Sequence, residues 1–389
     1  MKFYLIFLSL FLITSICSAQ SFSYNQGGTT AKNYYEEIPY ETINGKLFVY
    51  VEIAGKKHKF LFDTGAPVAI SKELAAELNA GVIHRDKVVD ATGARDSVSV
   101  VMLDSIKLGG LSFGQIPAIT LFPDFYKCWG IDGVIGSNLM RNSIVCINSA
   151  KHIIIFTDQA DKLALKPENS VPLVSNKSQQ SDPIIKIKLK NKVILDLGFD
   201  TGDNSFLRMS EYLMNSITKA GVYETLAKGY GANTISGLGL QKNAEKYLIK
   251  IPVLSIGSAQ FTNLITETNK GGIPAIGSKL LDYGIVTLDF IHGRFYFDAT
   301  NAVNDLNEKQ WPFQPTVMAN KLIIGVVWDN SPNVVKPGEQ IIAINDVDYS
   351  TINLCDILNN KAILAGKDEA TITIKNEDGK VRKIQISKQ

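Results

Sequence analysis

The sequence predicts a mainly β protein made of two copies of one lobe followed by a small α+β domain, and three observations carry that expectation. The apolar stretches are short and β-branched, several blocks recur in the same order at a near-constant offset, and the last residues repeat nothing.

The apolar stretches come first. Leu47 to Val51, Val98 to Leu103, Ile153 to Phe156, Ile184 to Leu189, Tyr247 to Ile251 and Phe295 to Phe297 are bounded by Gly, Asn and Asp, which marks strands rather than helices. Within the two copies short helical periodicity appears just after each Asp-Thr-Gly, in Ser71 through Leu78 and Ser210 through Met214, each opened by a serine placed to cap it.

Next comes the repeat. Gly136-Ser137-Asn138-Leu139 through Ile144-Val145 to Phe156 lies over Gly277-Ser278-Lys279-Leu280 through Ile285-Val286 to Phe297 without a gap, at 277 − 136 = 141. Upstream, Phe62-Asp63-Thr64-Gly65 lies over Phe199-Asp200-Thr201-Gly202 at 200 − 63 = 137. Between them Leu108-Gly109 and Ile256-Gly257 each precede a phenylalanine, Phe113 or Phe261. Three blocks in one order, twice, indicate a duplicated domain. The expected division is a leader over 1–19, an extension over 20–38, lobe 1 over 39–165, a polar linker over 166–182, lobe 2 over 183–310 and a C-terminal domain over 311–389.

Composition narrows the function classes. With 389 residues, 45% of them hydrophobic and 20% charged, the chain has ample material for cores. Forty basic residues against 38 acidic ones give a formal net charge of +2, so no global field draws nucleic acid. Lys2, the apolar run Phe3 to Ile13 and the small residues Cys17-Ser18-Ala19 read as a secretory signal peptide ending at Ala19. The run is shorter than the ~20 residues of a membrane span, and bulky Ile16 argues against lipid modification of Cys17. The expectation is an exported protein, periplasmic or extracellular, without a stable membrane span. Three cysteines remain, Cys128, Cys146 and Cys355. A Cys128–Cys146 pair and three buried thiols are both open.

Hydrolysis of a peptide by carboxylates needs two of them close enough to share a proton, one to activate water and one to protonate the carbonyl oxygen. An apolar strand ending in Asp-Thr-Gly suits this, because the strand anchors the backbone and glycine allows a tight turn beside the carboxylate. One such tripeptide is weak evidence. Two copies, each followed by an apolar-apolar-Gly block at 136 − 63 = 73 and 277 − 200 = 77 residues, are far more specific.

Here the sequence resembles the pepsin/retropepsin superfamily of aspartic proteases, over most of residues 40–300. The resemblance implies a bilobal acid-protease β-barrel architecture with Asp63 and Asp200 as the catalytic dyad. It makes Thr64 and Thr201 an inter-lobe hydrogen-bonding grip, and Gly65 and Gly202 the turn residues. Val134-Ile135-Gly136 and Ala275-Ile276-Gly277 would pack through the aspartate loops. The second copy departs from the pattern: Gly198 interrupts its strand, and Asp203 stands where a small residue is expected. Asp203 either adds negative potential that impairs proton sharing or points into solvent at the turn. The first outcome would leave a degenerate protein that binds peptides without cutting.

A cleft of this kind also needs a mobile hairpin with glycine at its tip. Thr92-Gly93 is the candidate in lobe 1 and Tyr230-Gly231 in lobe 2. His58, His84, His152 and His292 are scattered singly, so no metal site and no cofactor is expected. The tail reads strand, Ser331-Pro332 turn, Lys336-Pro337-Gly338-Glu339, strand Gln340 to Asn345, helix Asn353 to Asn359, then two strands, and resembles a PDZ domain with Glu339 and Asp346 substituted. That resemblance implies capture of a carboxyl-terminal peptide by strand addition, or a structural cap. The combined expectation is a monomeric aspartic endopeptidase acting on peptide or protein substrates.

Overall fold

The protein is described by a computed structural model over residues 22–120, 123–175, 180–330, 335–360 and 362–389. The leader expected over 1–19, residues 176–179 of the expected linker and the Ser331-Pro332 turn lie outside the described residues.

In the first half the strand Lys56–Phe62 leads directly into Asp63. Its last residues are buried, and it runs parallel to Gly133–Ile135, with Phe62 opposite Ile135. The other side of Gly133–Ile135 pairs antiparallel with Ala69–Ile70, so the chain leaving Asp63 wraps around the end of that short strand. The second half repeats this arrangement. Val193–Asp200 runs parallel to Ala275–Gly277, which pairs antiparallel with Leu207–Ser210. A Cβ on Gly136 would lie 2.2 Å from the carbonyl carbon of Pro67, and one on Gly277 would lie 2.2 Å from the carbonyl oxygen of Ser205. Both loops therefore lean on a residue that has to be glycine. The two helices expected after the loops form at Lys72–Glu77 and Glu211–Ile217, where Ser71 and Ser210 accept the N–H of Leu74 at 3.0 Å and of Leu213 at 3.1 Å.

The halves share one six-stranded antiparallel sheet, in the order Tyr35–Pro39, Ile153–Thr157, Ile144–Asn148, Gly284–Asp289, Arg294–Ala299 and Ser170–Ser175. At its centre Cys146 faces Thr287, its own equivalent at 287 − 146 = 141, so a pseudo-twofold axis passes between them. Phe62, Phe156 and Phe113 on one side of the axis and Phe199, Phe295 and Phe261 on the other belong to one continuous core. Two expected boundaries move as a consequence. The run 166–182 is not simply a linker, because Ser170–Ser175 with buried Leu173 forms one edge of the shared sheet. The extension 20–38 likewise ends in the opposite edge strand, and its Tyr24 is buried.

Residues 311–389 fold around their own core of Trp311, Phe313, Ile324, Ile341, Ile372 and Ile386. The unit is attached twice. Its strand Lys321–Trp328 pairs antiparallel with Glu224–Gly231 of the second half, Gly231 opposite Val326 and Gly229 opposite Trp328. A disulfide joins Cys355, in helix Leu354–Asn359, to Cys128 in the 3-10 segment Asp124–Trp129 of the first half. Asn359 Nδ2 reinforces it by donating to the Cys128 carbonyl at 3.1 Å. Of the two readings left open for the cysteines neither holds in full: Cys128 pairs with Cys355 and not with Cys146, and Cys146 is a free, buried thiol in the central sheet. Among the described residues no helix is long and apolar enough to cross a membrane.

A cross-link spanning 227 residues is expected to hold the C-terminal unit in place. Reduction, or Cys355→Ser, should make its opening easier by about 2–4 kcal/mol. The readout is faster amide exchange in Gln340–Ile344 and Glu369–Lys375; unchanged exchange would assign the attachment to the strand pairing alone.

Candidate active site

The two strand ends bring Asp63 and Asp200 together on the pseudo-twofold axis. The loop N–H of Gly65 donates to Asp63 Oδ1 at 2.9 Å, and that of Gly202 donates to Asp200 Oδ1 at the same distance. Each glycine also touches the opposite carboxylate. A Cβ on Gly65 would lie 2.6 Å from Asp200 Cγ, and one on Gly202 would lie 2.2 Å from Asp63 Oδ2. Any side chain there would drive the carboxylates apart.

Beneath them the threonines exchange hydrogen bonds. The Thr64 N–H donates to Thr201 Oγ1 and the Thr201 N–H to Thr64 Oγ1, both at 3.1 Å. The hydroxyls donate onward, Thr64 to the Phe199 carbonyl at 2.6 Å and Thr201 to the Phe62 carbonyl at 2.8 Å. Both threonines are fully buried. Threonine suits this position because one oxygen can accept from the partner loop while its proton is given to the partner strand.

Burial first, and then the charge of Asp200, push the Asp63 carboxyl up to about 8, and a hydrogen bond to Asp200 adds to the rise. The Lys46 ammonium, which donates to the Gly202 carbonyl, and the Gly65 N–H pull in the other direction. Burial, and then the charges of Asp63 and Asp200, push the Tyr126 phenol up. It packs against Phe125 and Trp129, with ring centroids 5.0 and 5.5 Å away.

Asp203 follows neither course expected of it. It does not point into solvent, and its charge is not left bare beside the dyad. Its Oδ2 accepts from Arg208 Nη1 at 2.6 Å, while Arg208 Nη2 donates to Asp200 Oδ2 at 2.9 Å. All three side chains are at most 15% exposed. Burial opposes the Arg208 charge, and the Asp200 and Asp203 carboxylates outweigh it, so the guanidinium is held more firmly protonated.

Thr92 and Gly93 sit at the tip of the hairpin formed by Val82–Val89 and Arg95–Leu108. The Asp90 carboxylate folds this tip by accepting from the Thr92 N–H, the Thr92 hydroxyl and the Ala94 N–H. The tip reaches the other half: Ala91 N–H donates to Ser236 Oγ at 3.2 Å and Leu238 N–H to Asp90 Oδ2 at 3.1 Å. Tyr230 and Gly231 are not at a tip. They lie within Glu224–Gly231, paired on both sides, and a Cβ on Gly231 would lie 1.8 Å from the Gly325 carbonyl oxygen. Glycine is needed there for docking the C-terminal unit, and the second tip is formed instead by Ser236-Gly237-Leu238, beyond the bridge of Ile235–Ser236 with Gly239–Leu240.

Sequence reasoning missed Lys46, Tyr126 and Arg208. For Arg208 a signal existed, since the two copies could have been compared residue by residue after their glycines. Among the described residues no group of three His, Cys, Asp or Glu side chains is arranged to hold a metal.

Residues 49–139 match the model of the aspartyl protease family. That stretch contains Asp63-Thr64-Gly65 and Val134-Ile135-Gly136 and ends before the second copy. In structure the chain is similar to basic 7S globulin from soybean, at 11% identity over 69% of this chain and 95% of the globulin, with a TM-score of 0.40. It is also similar to conglutin gamma, a basic 7S globulin from lupine seeds, at 13% identity over 70% of this chain and 96% of that one, TM-score 0.38. A retropepsin-like aspartic protease from Rickettsia conorii is similar at 19% identity over 32% of this chain and 91% of its own, TM-score 0.26. No curated protein matches the chain in sequence.

Thr64→Val strands two buried partners, the Thr201 N–H and the Phe199 carbonyl. The expected loss is about 1–3 kcal/mol in urea unfolding, with Thr64→Ser restoring most of it. A second expectation concerns pH. The Asp63 carboxyl stands near 3.8 when free and about 8 in place, so the folded protein binds more protons between those values and its stability falls as pH rises through them. Asp63→Asn should flatten that slope in thermal unfolding followed from pH 4 to 8.

Proposed function

We propose that the protein is an aspartic endopeptidase. One observation carries this reading: two carboxylates meet across the two halves, each resting against the loop glycine of the other half and each fixed by its own glycine N–H, while a hairpin of the first half bonds to the second. The match of residues 49–139 to the aspartyl protease family supports it.

The chemistry follows from one shared proton. The ionised carboxylate takes a proton from water as the water oxygen attacks the peptide carbonyl carbon, and the protonated carboxyl gives its proton to the carbonyl oxygen. The tetrahedral diol then returns a hydroxyl proton to one carboxylate while the other protonates the amide nitrogen. The C–N bond breaks, releasing a carboxylic acid and an amine. Both carboxylates come from one chain, so a monomer suffices for this reaction.

The proposal extends to the rest of the chain. Export is supported by the leader-like segment and by a disulfide of the kind that persists in oxidising compartments. For the PDZ-like unit the reading is restraint of the protease walls. The edge of Lys321–Trp328 is taken by the chain's own strand over Val326 to Trp328, which disfavours strand addition of an outside peptide at those residues. A second reading, a peptide-binding protein that does not cut, is favoured by the Arg208 guanidinium bonded to Asp200 Oδ2.

Cleavage of a mixed peptide library by the protein starting at Gln20 decides between them, beside Asp63→Asn and Asp200→Asn. Either change should lower cleavage by about 10³-fold or more. With Asp63 protonated below about 8, kcat/KM should hold at neutral pH and fall as pH rises through that value, where the acid is lost. Folded protein that cuts nothing at any pH would establish the second reading.

A further inference from the structure

The two catalytic loops are not copies of each other where they leave the dyad, and the difference is ionic. Ser137 N–H donates to the Ala66 carbonyl, and Ser278 N–H, at 278 − 137 = 141, donates to the Asp203 carbonyl, so Asp203 occupies the place of Ala66. In the same way Ala69 is opposite Val134 while Arg208 is opposite Ala275, at 275 − 134 = 141, so Arg208 occupies the place of Ala69. The second loop is two residues longer, 208 − 200 = 8 against 69 − 63 = 6. Two alanines in the first lobe are thus replaced by an interlocked acid and base in the second.

Resting on the aspartic peptidase reading, we propose that Arg208 is a positioning residue of the dyad, holding Asp200 as the ionised member and leaving the shared proton on Asp63. Both oxygens of Asp200 already accept: Oδ1 from the Gly202 N–H and Oδ2 from Arg208 Nη2. Arginine does not give up its proton in proteins, so it keeps a donor aimed at Oδ2 and disfavours a proton on that oxygen. The first loop carries no charged side chain between Thr64 and Ala69. The ammonium nearest Asp63, that of Lys46, is bonded to the Gly202 carbonyl. The groups around Asp200 are therefore Asp63, Arg208, Asp203, Lys46 and the Tyr126 phenol.

Asp203 sets the strength of the hold. It takes the other arm of the guanidinium at 2.6 Å, and its Oδ1 is fixed by the Ser205 N–H at 2.8 Å. The Arg208 Nε–H is bound to the Ile273 carbonyl at 2.8 Å. Sharing the cation between two carboxylates orients it without cancelling the basicity that Asp200 needs toward water. The roles then become unequal: Asp200 takes the water proton and Asp63 protonates the carbonyl oxygen.

The test uses Arg208→Met, Arg208→Lys and the double change Asp203→Ala with Arg208→Ala, which puts alanine at both positions, as at Ala66 and Ala69 of the first loop, and removes the acid together with the base. Two readouts are taken: the pH profile of kcat/KM, and carboxyl titration by NMR in protein carrying ¹³C-labelled aspartate, assigned with Asp63→Asn and Asp200→Asn. Losing the cation favours the protonated dyad, so the acid limb and the lower of the dyad's two titration steps should both rise by about one pH unit or more in Arg208→Met. The double variant should rise by less, and Arg208→Lys should lie between it and the unaltered protein. An unmoved acid limb and an unmoved lower step in folded variants would overturn the role. If the unaltered protein cuts nothing, the peptidase reading fails, and the NMR titration alone decides whether Arg208 sets the proton.

Discussion

Burying two like charges in contact is expensive, and the expense is tolerable only if the backbone that carries them cannot retreat. In this chain the four hydrogen bonds exchanged by Thr64 and Thr201 supply that rigidity. Each threonine ties its own loop to the opposite strand, so neither aspartate can withdraw without breaking bonds made by both halves. Gly65 and Gly202 depend on this grip, because each rests against the carboxylate of the other half. Gly136 and Gly277 depend on it in turn, since they receive the loops from below. The duplicated topology is the means by which two Asp-Thr-Gly turns meet face to face.

Symmetry solves the assembly problem and creates a chemical one, because two equivalent carboxylates have no reason to divide acid and base work in a fixed way. The chain departs from symmetry at that point. Ala66 and Ala69 give way to Asp203 and Arg208, and the added positive charge sits on one side of the axis only. Buried ion pairs contribute little net stability once desolvation is counted, so this triad is better understood through what it does to the proton than through what it adds to the fold.

Much of the frame was legible in the sequence. The offsets of 141 and 137 located both aspartate turns and the Gly136 and Gly277 blocks, and Ser71 and Ser210 marked both helix starts. These signals are local or repeated, and so survive in one dimension. The failures share a cause. Cys128 pairs with Cys355 rather than Cys146 because partners separated by 227 residues leave no spacing signature. Tyr230 and Gly231 read as a hairpin tip because glycine signals close approach without naming what approaches, and here it is the strand Lys321–Trp328. Asp203 could be judged only with its cation in view, and Arg208 lies five residues further on, on the far side of a turn.

The attachment of the C-terminal unit bears on how a substrate would reach the dyad. One attachment is to Glu224–Gly231, the strand leading to the second hairpin tip, and the other is to the Asp124–Trp129 segment, whose Tyr126 phenol feels the charges of both carboxylates. Both halves are thereby tied to the same C-terminal unit, one of them covalently. The contact of the first hairpin tip with the second half is held far more weakly. Its side-chain anchors across the cleft are the Ala91 and Leu238 N–H bonds, at 3.2 and 3.1 Å, each worth about 1 kcal/mol net. Set against a disulfide and a strand pairing, hydrogen bonds of that size are the contacts that break at least cost. The segment they hold is Asp90 to Ala94, a turn that Asp90 closes with both its carboxylate and its backbone, whereas the two aspartate loops are tied to each other by the buried threonine grip.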